Sequence, residues 1–546
     1  MKIALAQLNY HIGNFESNTK KIINAISRAK EQGADLVVFA ELAVCGYPPR
    51  DFLEFYEFIE LCDKAINEIA TYCKDIACII GAPTKNPRTE GKDLYNSAYF
   101  IENGEIKAVV NKALLPTYDV FDEYRYFEPN TSFNCIEFKG QKIALTICED
   151  LWNINDNPLY ISSPMDVLIG QKPDLMINVA ASPFDYKHDE NRTKVLSDNS
   201  RKYNLPLLYV NQVGSQTEII FDGGSLAFND QGELLHEMKY FEEDLEVFEF
   251  KDGQIVGISP RPSQDTPDIE LIHRALVLGI RDYFAKSGFK EAVLGLSGGI
   301  DSALVCALAC EALGPQNVTG ILMPSEFSTG HSVQDALDLA KNLGCKHEIV
   351  PIKEAVDAYD RMLKPFFKDL PFNVAEENIQ ARARAVVVMA FSNKFGYILL
   401  NTSNKSECAV GYGTLYGDMA GAIAVLGDVY KTQVYELCRY INREREIIPL
   451  NTIIKPPSAE LRPGQKDSDS LPDYDILDTI LFQYIELKKS SRDIVAQGFD
   501  EALVRRVIAM VNRAEFKRYQ TPPILRVSPK AFGMGRRMPI VGKYLS

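Results

Sequence analysis

Residues 292–302 read AVLGLSGGIDS, and the apolar run ALVCALACEAL follows directly. The first five residues predict a short buried strand and the later run predicts a helix, so the glycines fall in a tight strand-to-helix turn. Glycine lets backbone N–H groups approach a ligand without interference from a Cβ atom. A helix N-terminus adds unpaired donors and partial positive charge, so the turn favours a phosphate group. A simpler interpretation, in which Asp301 or Ser297 only caps the helix, explains the glycines less well.

The turn matches neither of the two common nucleotide loops. No Gly-Lys-Ser/Thr follows, as a Walker A loop requires, and the dinucleotide pattern GxGxxG is absent. The SGGIDS stretch instead resembles the ATP pyrophosphatase family, whose SGGxDS loop holds the pyrophosphate that leaves ATP. This resemblance implies Mg²⁺ at Asp301 and an ATP-binding loop made of Gly295, Leu296, Ser297, Gly298, Gly299, Ile300, Asp301 and Ser302.

Strands and helices alternate on both sides of this loop, from residue 268 to beyond residue 400. Such alternation predicts βαβ units and a doubly wound, Rossmann-like parallel sheet. The segment NTSNKSE, residues 401–407, follows a predicted strand, and ligands of such sheets bind at the carboxyl ends of strands. The segment resembles the NAD synthetase branch of the family, which implies Thr402 at ATP and Glu407 at the metal and the substrate.

Three further segments carry the resemblance. ENIQARAR lies in a predicted helix that places Asn378 and Arg382 on one face, and the resemblance implies that both bind deamido-NAD. Lys431 in GDVYKTQV matches a family lysine near the ATP phosphates. Residues 513–543 hold eight Lys/Arg and one acid, a local charge of +7 that suits a diphosphate, and the resemblance places Lys517 at the dinucleotide. Taken alone, ENIQARAR could be a solvated charged face, and residues 513–543 could be a solvated tail or a contact to an anionic surface.

The first 250 residues have a different organisation. Short runs rich in Val, Ile and Leu, such as residues 36–39 and 143–147, alternate with amphipathic helical stretches. This pattern predicts a mostly buried α/β sandwich. Residues 251–268, KDGQIVGISPRPSQDTPD, hold three prolines and little apolar periodicity, which is typical of a linker. We therefore predict domains at residues 1–250 and 268–546, joined by a linker at residues 251–267.

Three reactive side chains of the first half each follow or end an apolar run: Glu41, Lys112 and Cys148. A thiol needs a base or a positive neighbour to become nucleophilic. A carboxylate can take its proton, and a lysine can stabilise a tetrahedral oxyanion. Each residue could equally be structural, because Cys148 is one of eleven cysteines and the other two could form an ion pair.

In their contexts FAELAVCGYPPRD, VNKALLPTYDVFDEYRYFEP and TICEDLW, the three resemble the nitrilase family, whose fold is a four-layer α-β-β-α sandwich. The resemblance implies Glu41 as general base, Lys112 as stabiliser of the intermediate and Cys148 as nucleophile, with Glu123 as a possible second carboxylate. In the glutaminase branch, glutamine would contact Tyr118, Ser182 and either His188 or its neighbour Lys187.

Composition excludes several other classes. With 46% hydrophobic residues and a net charge of −15, the chain is globular and poorly suited to nucleic acid. No run approaches the ~18 apolar residues of a membrane span. The cysteines are sparse, CxxC is absent and the histidines do not cluster, so zinc and redox sites have no support in the sequence. We expect a cytoplasmic enzyme with small-molecule ligands, forming a homo-oligomer.

Taken together, the two halves resemble the glutamine-dependent NAD synthetase family over nearly the whole chain. The resemblance implies a ligase that uses ATP and Mg²⁺ to amidate deamido-NAD with ammonia from glutamine, the last step of NAD biosynthesis. Two alternatives stay open at this point. One is an ATP-dependent amidotransferase with a different acceptor, and the other is a nucleotide sensor that carries a vestigial amidase.

Overall fold

A computed structural model describes residues 1–154, 158–257 and 266–544, and only the backbone of residues 188–190. The chain divides into two compact units, Met1–Thr266 and Pro267–Ser546. Residues 251–256, which were expected to open the linker, instead finish one strand and form another in the sheet of the first unit, because Ile255 can bury its side chain there. Residues 258–265 of the predicted linker lie outside the described residues. In the described part of the chain, no helix combines the length and apolar character needed to cross a membrane.

The first unit is built on two large sheets and a separate two-stranded sheet. Its strands are β1 Lys2–Gln7, β2 Leu36–Phe39, β3 Ala77–Lys85, β4 Leu94–Glu102, β5 Glu105–Asn111, β6 Ile136–Phe138, β7 Gln141–Ile147, β8 Leu175–Ala180, β9 Leu207–Asn211, β10 Val213–Gln216, β11 Ile219–Asp222, β12 Leu226–Phe228, β13 Leu234–Glu237, β14 Asp244–Lys251 and β15 Gln254–Val256. Its helices are α1 Phe15–Glu31, α2 Tyr56–Ala70, α3 Pro164–Leu168 and α4 His188–Tyr203. One large sheet has the order β15-β14-β1-β2-β3-β4-β5 and the other β13-β12-β9-β8-β7-β6, and β10 and β11 form the two-stranded sheet.

Strand β2, LVVF, shows why the unit forms four layers. Leu36 and Val38 join the core between the two sheets, whereas Val37 and Phe39 join the core between the first sheet and helices α1 and α2. Successive side chains of a strand point to opposite faces, so a continuous apolar run requires cover on both sides. Helices α3 and α4 contact strands β7 and β12 of the second sheet. The predicted α-β-β-α sandwich is confirmed.

The second unit is built on one parallel sheet. Its strands are β16 Ala292–Gly295, β17 Val318–Leu322, β18 Lys346–Ile349, β19 Ile398–Asn401 and β20 Ile423–Ala424. Its helices are α5 Asp268–Ser287, α6 Ile300–Leu313, α7 Gly330–Leu343, α8 Lys353–Phe367, α9 Val374–Phe395, α10 Lys405–Val410, α11 Lys431–Ile441, α12 Leu450–Ile454, α13 Tyr474–Ile485, α14 Ser491–Val495, α15 Glu501–Arg513 and α16 Glu515–Arg518.

The strand order β18-β17-β16-β19-β20 confirms the doubly wound sheet. The chain moves outward from β16 to β18 and then returns to the other side of β16 as β19, so the order reverses between β16 and β19. Ligands of open parallel sheets bind at such a reversal, outside the carboxyl ends of the strands. SGGIDS follows β16 and NTSNKSE follows β19, so the topology alone brings these two motifs to one crevice.

The acidic stretch DSDSLPDYD, residues 467–475, has a composition that favours a surface loop, and the structure agrees for most of it. Five of the nine residues are exposed, and a single helical turn at Asp467–Asp469 leads into a loop. Asp467 and Leu471 are buried, and the hydroxyls of Tyr412 and Tyr474 donate to the Asp467 carboxylate at 3.3 and 2.9 Å. Because those partners satisfy its oxygens, Asp467 alone among these acidic residues can be buried.

Candidate active sites

Cys148 lies directly after β7, where the chain turns sharply. Its φ of +42° is in the left-handed region, which a non-glycine residue adopts only when its surroundings impose it. The Asp150 carboxylate imposes it here, because it accepts hydrogen bonds from the amides of Ile147, Ala113 and Leu114 at 2.9–3.0 Å. Asp150 thereby ties the cysteine turn to the chain segment that carries Lys112.

Lys112 follows β5 and is completely buried. Its Nζ donates to Glu41 at 2.7 Å and to Glu123 at 2.8 Å, and Asn96 donates to the same two carboxylates at 2.7 and 3.3 Å. Burial alone would lower the pKa of Lys112, but Glu123 and Glu41 raise it well above its usual value. The lysine therefore stays positively charged, as an oxyanion-stabilising group must.

The three predicted catalytic residues converge in this first unit. Burial raises the pKa of the Cys148 thiol well above its usual value, the Glu41 charge raises it further, and Lys112 opposes both. The resting thiol is therefore protonated and needs a base when it attacks. The Glu41 carboxylate is anchored for that task, since its other oxygen accepts the Ala181 amide at 3.0 Å.

The structure gives Glu123 a definite place. It shares Lys112 with Glu41 and accepts a hydrogen bond from the Tyr47 hydroxyl at 2.7 Å. Asn96 and Tyr47 donate further hydrogen bonds to the two carboxylates that share Lys112. Sequence reasoning missed Asn96, Tyr47 and Asp150. Asn96 lies within a strand and has no motif, whereas Asp150 was visible in CED, two residues after the nucleophile.

The structure gives hydrogen-bond partners for two of the predicted glutamine contacts, Tyr118 and Ser182. The Tyr118 hydroxyl donates to both oxygens of Glu149, at 2.9 Å each, and Tyr160 donates to the same carboxylate at 3.1 Å. Burial raises the pKa of Glu149 to about 7, with Lys112 and the tyrosines opposing. Ser182 is buried, and its amide donates to Asn211 at 2.8 Å. The His188 side chain lies outside the described residues.

The assignment of Lys187 or His188 to glutamine stays a prediction. Lys187 is exposed, with its Nζ 5.7 Å from the centre of the Tyr186 ring. Glu149, by contrast, was not singled out from the sequence, although it is next to the nucleophile and receives Tyr118. It is the acidic group here that suits the ammonium of an amino acid.

Hydrogen bonds of its own serine hydroxyls hold the SGGIDS loop of the second unit in shape. The Ser297 and Ser302 hydroxyl oxygens are 3.0 Å apart, and the Gly299 amide donates to Ser297 at 3.2 Å. Gly298 has φ +79°, and a Cβ on it would lie 2.1 Å from the Ser332 carbonyl oxygen. Glycine is therefore required here both for its backbone conformation and for the close approach of α7.

Asp301 connects the loop to the two other motifs at the crevice. Its carboxylate accepts from Asn404 at 2.9 Å and pairs with Lys431, whose Nζ lies 3.9 Å from Glu407. Burial and the Asp301 charge raise the pKa of Glu407 to about 8, while those two carboxylates raise that of Lys431. The predicted ATP lysine and metal carboxylates thus form one cluster, and Asn404 is a member that sequence reasoning missed.

These residues line a cavity of about 620 Å³. That volume is within the range of ligand sites. The other lining residues include Arg384, the last residue of ENIQARAR, together with Asp467 and Lys455, which no motif contains. The predicted ATP and metal residues that line it are Gly295, Leu296, Ser297, Gly299, Ile300, Asp301, Ser302, Thr402, Glu407 and Lys431.

The other predicted dinucleotide contacts meet at a neighbouring loop, residues 411–415. Asn378 accepts the Thr414 hydroxyl at 2.6 Å, and Arg382 donates to the Leu415 carbonyl at 3.2 Å. Lys517 donates to the carbonyls of Gly411 and Gly413, at 2.8 and 2.7 Å. The structure thus brings the three together on a loop whose Tyr412 lines the cavity.

A buried thiol with a base and a lysine in one unit, and a phosphate-type loop at a topological reversal in the other, define an ATP-dependent enzyme of the amidotransferase class. Residues 2–253 match the carbon-nitrogen hydrolase family model, and residues 272–521 match that of NAD synthase. A glutamine-dependent NAD(+) synthetase of Synechocystis sp. is 48% identical, with 98% of each chain covered. One of Thermotoga maritima is 39% identical, covering 100% of this chain and 99% of that one.

A solved structure agrees with these matches. The glutamine-dependent NAD+ synthetase of Acinetobacter baumannii in complex with ADP has a TM-score of 0.78 and 39% identity, covering 99% of this chain and 98% of its own. The chain belongs to the glutamine-dependent NAD(+) synthetase family.

Proposed function

We propose that this chain makes NAD(+) from deamido-NAD, ATP and L-glutamine, with AMP, diphosphate and L-glutamate as the other products. The observation that carries the proposal is the pairing, in one chain, of the Cys148 cluster with the Asp301 cluster. The first can release ammonia from an amide, and the second can activate a carboxylate to receive it.

The synthetase half-reaction begins at the crevice of the second unit. An oxygen of the nicotinate carboxylate attacks the α-phosphorus of ATP, and diphosphate leaves. The SGGIDS amides and Lys431 bind the departing diphosphate, which is the predicted role of Ser297, Gly298, Gly299 and Ser302, and the position of Ser297, Gly299, Ser302 and Lys431 on one cavity supports this. The residues Asn378, Arg382 and Lys517 hold the loop beside this cavity and so position the dinucleotide side of the site.

Mg²⁺ fits the donors present here. Asp301 and Glu407 both approach one lysine, and burial together with the Asp301 charge raises the pKa of Glu407. Carboxylate oxygens together with phosphate oxygens are the ligands that Mg²⁺ prefers. When bound, the ion would neutralise charge on the phosphates. Asp301 and Glu407 are the residues that would hold it.

The glutaminase half-reaction uses the buried cluster of the first unit. The Cys148 sulfur attacks the side-chain amide of glutamine while Glu41 takes the thiol proton. Lys112 stabilises the oxyanion of the tetrahedral intermediate. Glu41 returns the proton to the amide nitrogen, the C–N bond breaks, and a thioester and ammonia result. Glu123 keeps Lys112 charged and in place, Tyr118 with Glu149 holds the amino-acid end, and Ser182 with His188 or Lys187 completes that pocket. Water then hydrolyses the thioester to glutamate.

Ammonia joins the two half-reactions. It adds to the acyl carbon of the adenylate, AMP leaves, and the amide of NAD(+) forms. Activation is needed because a free carboxylate repels nucleophiles and has no good leaving group. We also propose a cytoplasmic location, because all eleven cysteines are free thiols and the substrates are metabolites, and a homo-oligomeric state.

An assay with purified full-length chain, deamido-NAD, ATP and Mg²⁺ tests the proposal, with glutamine or ammonium as alternative nitrogen donors. We expect NAD(+) with either donor, and one AMP and one diphosphate for each NAD(+). Acceptor carboxylates other than deamido-NAD serve as the control for an amidotransferase of different specificity. Binding of ATP and deamido-NAD without any turnover would contradict the proposal and favour a nucleotide sensor.

A further inference from the structure

Three buried cysteines of the second unit lie together, away from both sites described above. Cys306 and Cys310 are one turn apart on the same face of α6, and Cys345 follows the Gly344 cap of α7. Their sulfur atoms all lie within 4.8 Å of one another. The absence of CxxC had left zinc and redox sites without support, and the sequence separation of Cys345 explains why the cluster was not foreseen.

We propose that Cys306, Cys310 and Cys345 form a three-thiolate binding site for a soft metal ion of the Cu(I) class, a function beyond the proposed synthesis of NAD(+). Soft thiolate ligands select ions of this kind. The cluster holds three cysteines and, within the described residues, no histidine or carboxylate close enough to be a fourth ligand. That ligand count favours an ion that accepts three-coordination over Zn²⁺, which is almost always four-coordinate in structural sites.

The sulfur spacing supports coordination. The Cys306 and Cys345 sulfurs are 3.9 Å apart. Two thiolates at about 2.3 Å from one ion and separated by this distance subtend an angle of about 116°, between the tetrahedral and trigonal values. A disulfide would require about 2.05 Å. The thiols are therefore placed to share an ion without large movement of α6 or α7.

Cys306 is fully enclosed, whereas Cys310 and Cys345 each keep a small exposed fraction, 6% and 7%, so the cluster lies near the surface of the unit. Each thiol that becomes a ligand gives up its proton to solvent as its sulfur binds the ion, so no oxidant or reductant is consumed. The ion would link α6, which begins at the SGGIDS loop, to the end of α7.

The first test counts bound copper under anaerobic conditions in the presence of a competing Cu(I) chelator. All variants carry Cys148→Ala, so that the reactive thiol of the first unit does not contribute. We expect one Cu(I) per chain, and at least a tenfold loss of affinity in the triple variant C306A/C310A/C345A. The matched control is Cys438→Ala, another buried cysteine of the same unit outside the cluster, which should bind copper like its parent.

The single variants C310A and C345A keep the test decisive if the triple variant does not fold. Each should weaken copper binding, and unchanged affinity in both would overturn the proposal. Copper X-ray absorption should show three sulfur neighbours at about 2.3 Å. Nitrogen or oxygen neighbours, equal loss of copper in C438A, or tighter binding of Zn²⁺ than of Cu(I) would also overturn it.

Discussion

The two candidate reactive clusters of this chain differ in how far their charged groups are enclosed. In the first unit, Lys112, Glu41 and Glu123 are buried and already joined by hydrogen bonds, so the charges that the reaction needs are in place before any substrate arrives. In the second unit, Asp301, Glu407 and Lys431 line an open cavity of about 620 Å³. Their arrangement there is suited to a large anionic ligand.

The difference follows from what each site handles. An amide carbon carries no charge, so its attack benefits from a preorganised cluster in which water cannot weaken the interactions. ATP and a dinucleotide bring several negative charges and need amides, a lysine and a cation around them. A small neutral reaction centre can therefore react within a closed cluster, whereas nucleotide chemistry requires an open crevice.

The largest expected effect removes the activity of the Cys148 cluster and leaves that of the Asp301 cluster unchanged. Cys148→Ala should reduce glutamine-driven NAD(+) formation on the order of 10³-fold or more, because no other group in the cluster can form the thioester. Ammonium-driven formation should stay at the wild-type rate. The measurement is initial rate with each nitrogen donor, and loss of both rates would break the two-site scheme.

Asp301→Ala should affect both donors, because adenylation is common to both routes. We expect a loss of about 10²- to 10³-fold in synthesis, as for removal of one electrostatic contact to a reacting group. Glutamine hydrolysis, measured alone as glutamate release, should continue. Asp369→Ala, an exposed carboxylate of the same unit, is the control, and full ammonium-driven activity of the Asp301 variant would refute the assigned phosphate site.

The next effect tests the shape of the SGGIDS loop. Gly298→Ala should destabilise the second unit by more than about 2 kcal/mol and lower ATP-dependent activity, since its Cβ would meet the Ser332 carbonyl at 2.1 Å. Gly288→Ala is a matched control, with φ +74° and nothing within 4 Å of the added Cβ. It should cost only the backbone strain of about 1 kcal/mol.

Urea unfolding of each glycine variant, followed by the ATP-dependent rate of the folded protein, measures this difference. Equal destabilisation by the two substitutions would mean that backbone conformation, and not the contact with α7, requires Gly298.

The smallest effect concerns pH and the amino-acid pocket. Burial raises the pKa of Glu149 to about 7, so its carboxylate is ionised above that pH and neutral below it. Only the ionised form attracts the ammonium group of glutamine. The KM for glutamine should therefore rise by up to about tenfold per pH unit as the pH falls below 7.

Glu149→Gln supplies the comparison for this pH effect. Its KM should be higher at pH 8 and should no longer change between pH 8 and pH 6, while the KM for deamido-NAD with ammonium stays as in the wild type. A wild-type KM for glutamine that is constant across this range would show that Glu149 does not bind the amino group.

Much of the fold could be read from local patterns. Strand β2 was predicted at its exact bounds, because a continuous apolar run between turn residues has few other uses. Helix α6 was expected after the SGGIDS loop and begins at Ile300. Residues 251–256 were misread as linker, because their place in the sheet depends on β14, which itself pairs with β1 at the start of the chain.

Sequence by itself indicated the candidate reactive groups: the thiol, its proposed base and lysine, the phosphate loop and the carboxylates beside it. Each belongs to a short motif, residue type limits the chemistry open to it, and the family resemblance of the motif implies its role. Only the tertiary structure decided that Asn96, Tyr47 and Asp150 support the first cluster, that Asn404 joins Asp301, and that three cysteines meet behind α6. These contacts join residues that are distant in sequence, and neither periodicity nor composition reports which distant side chains fold against one another.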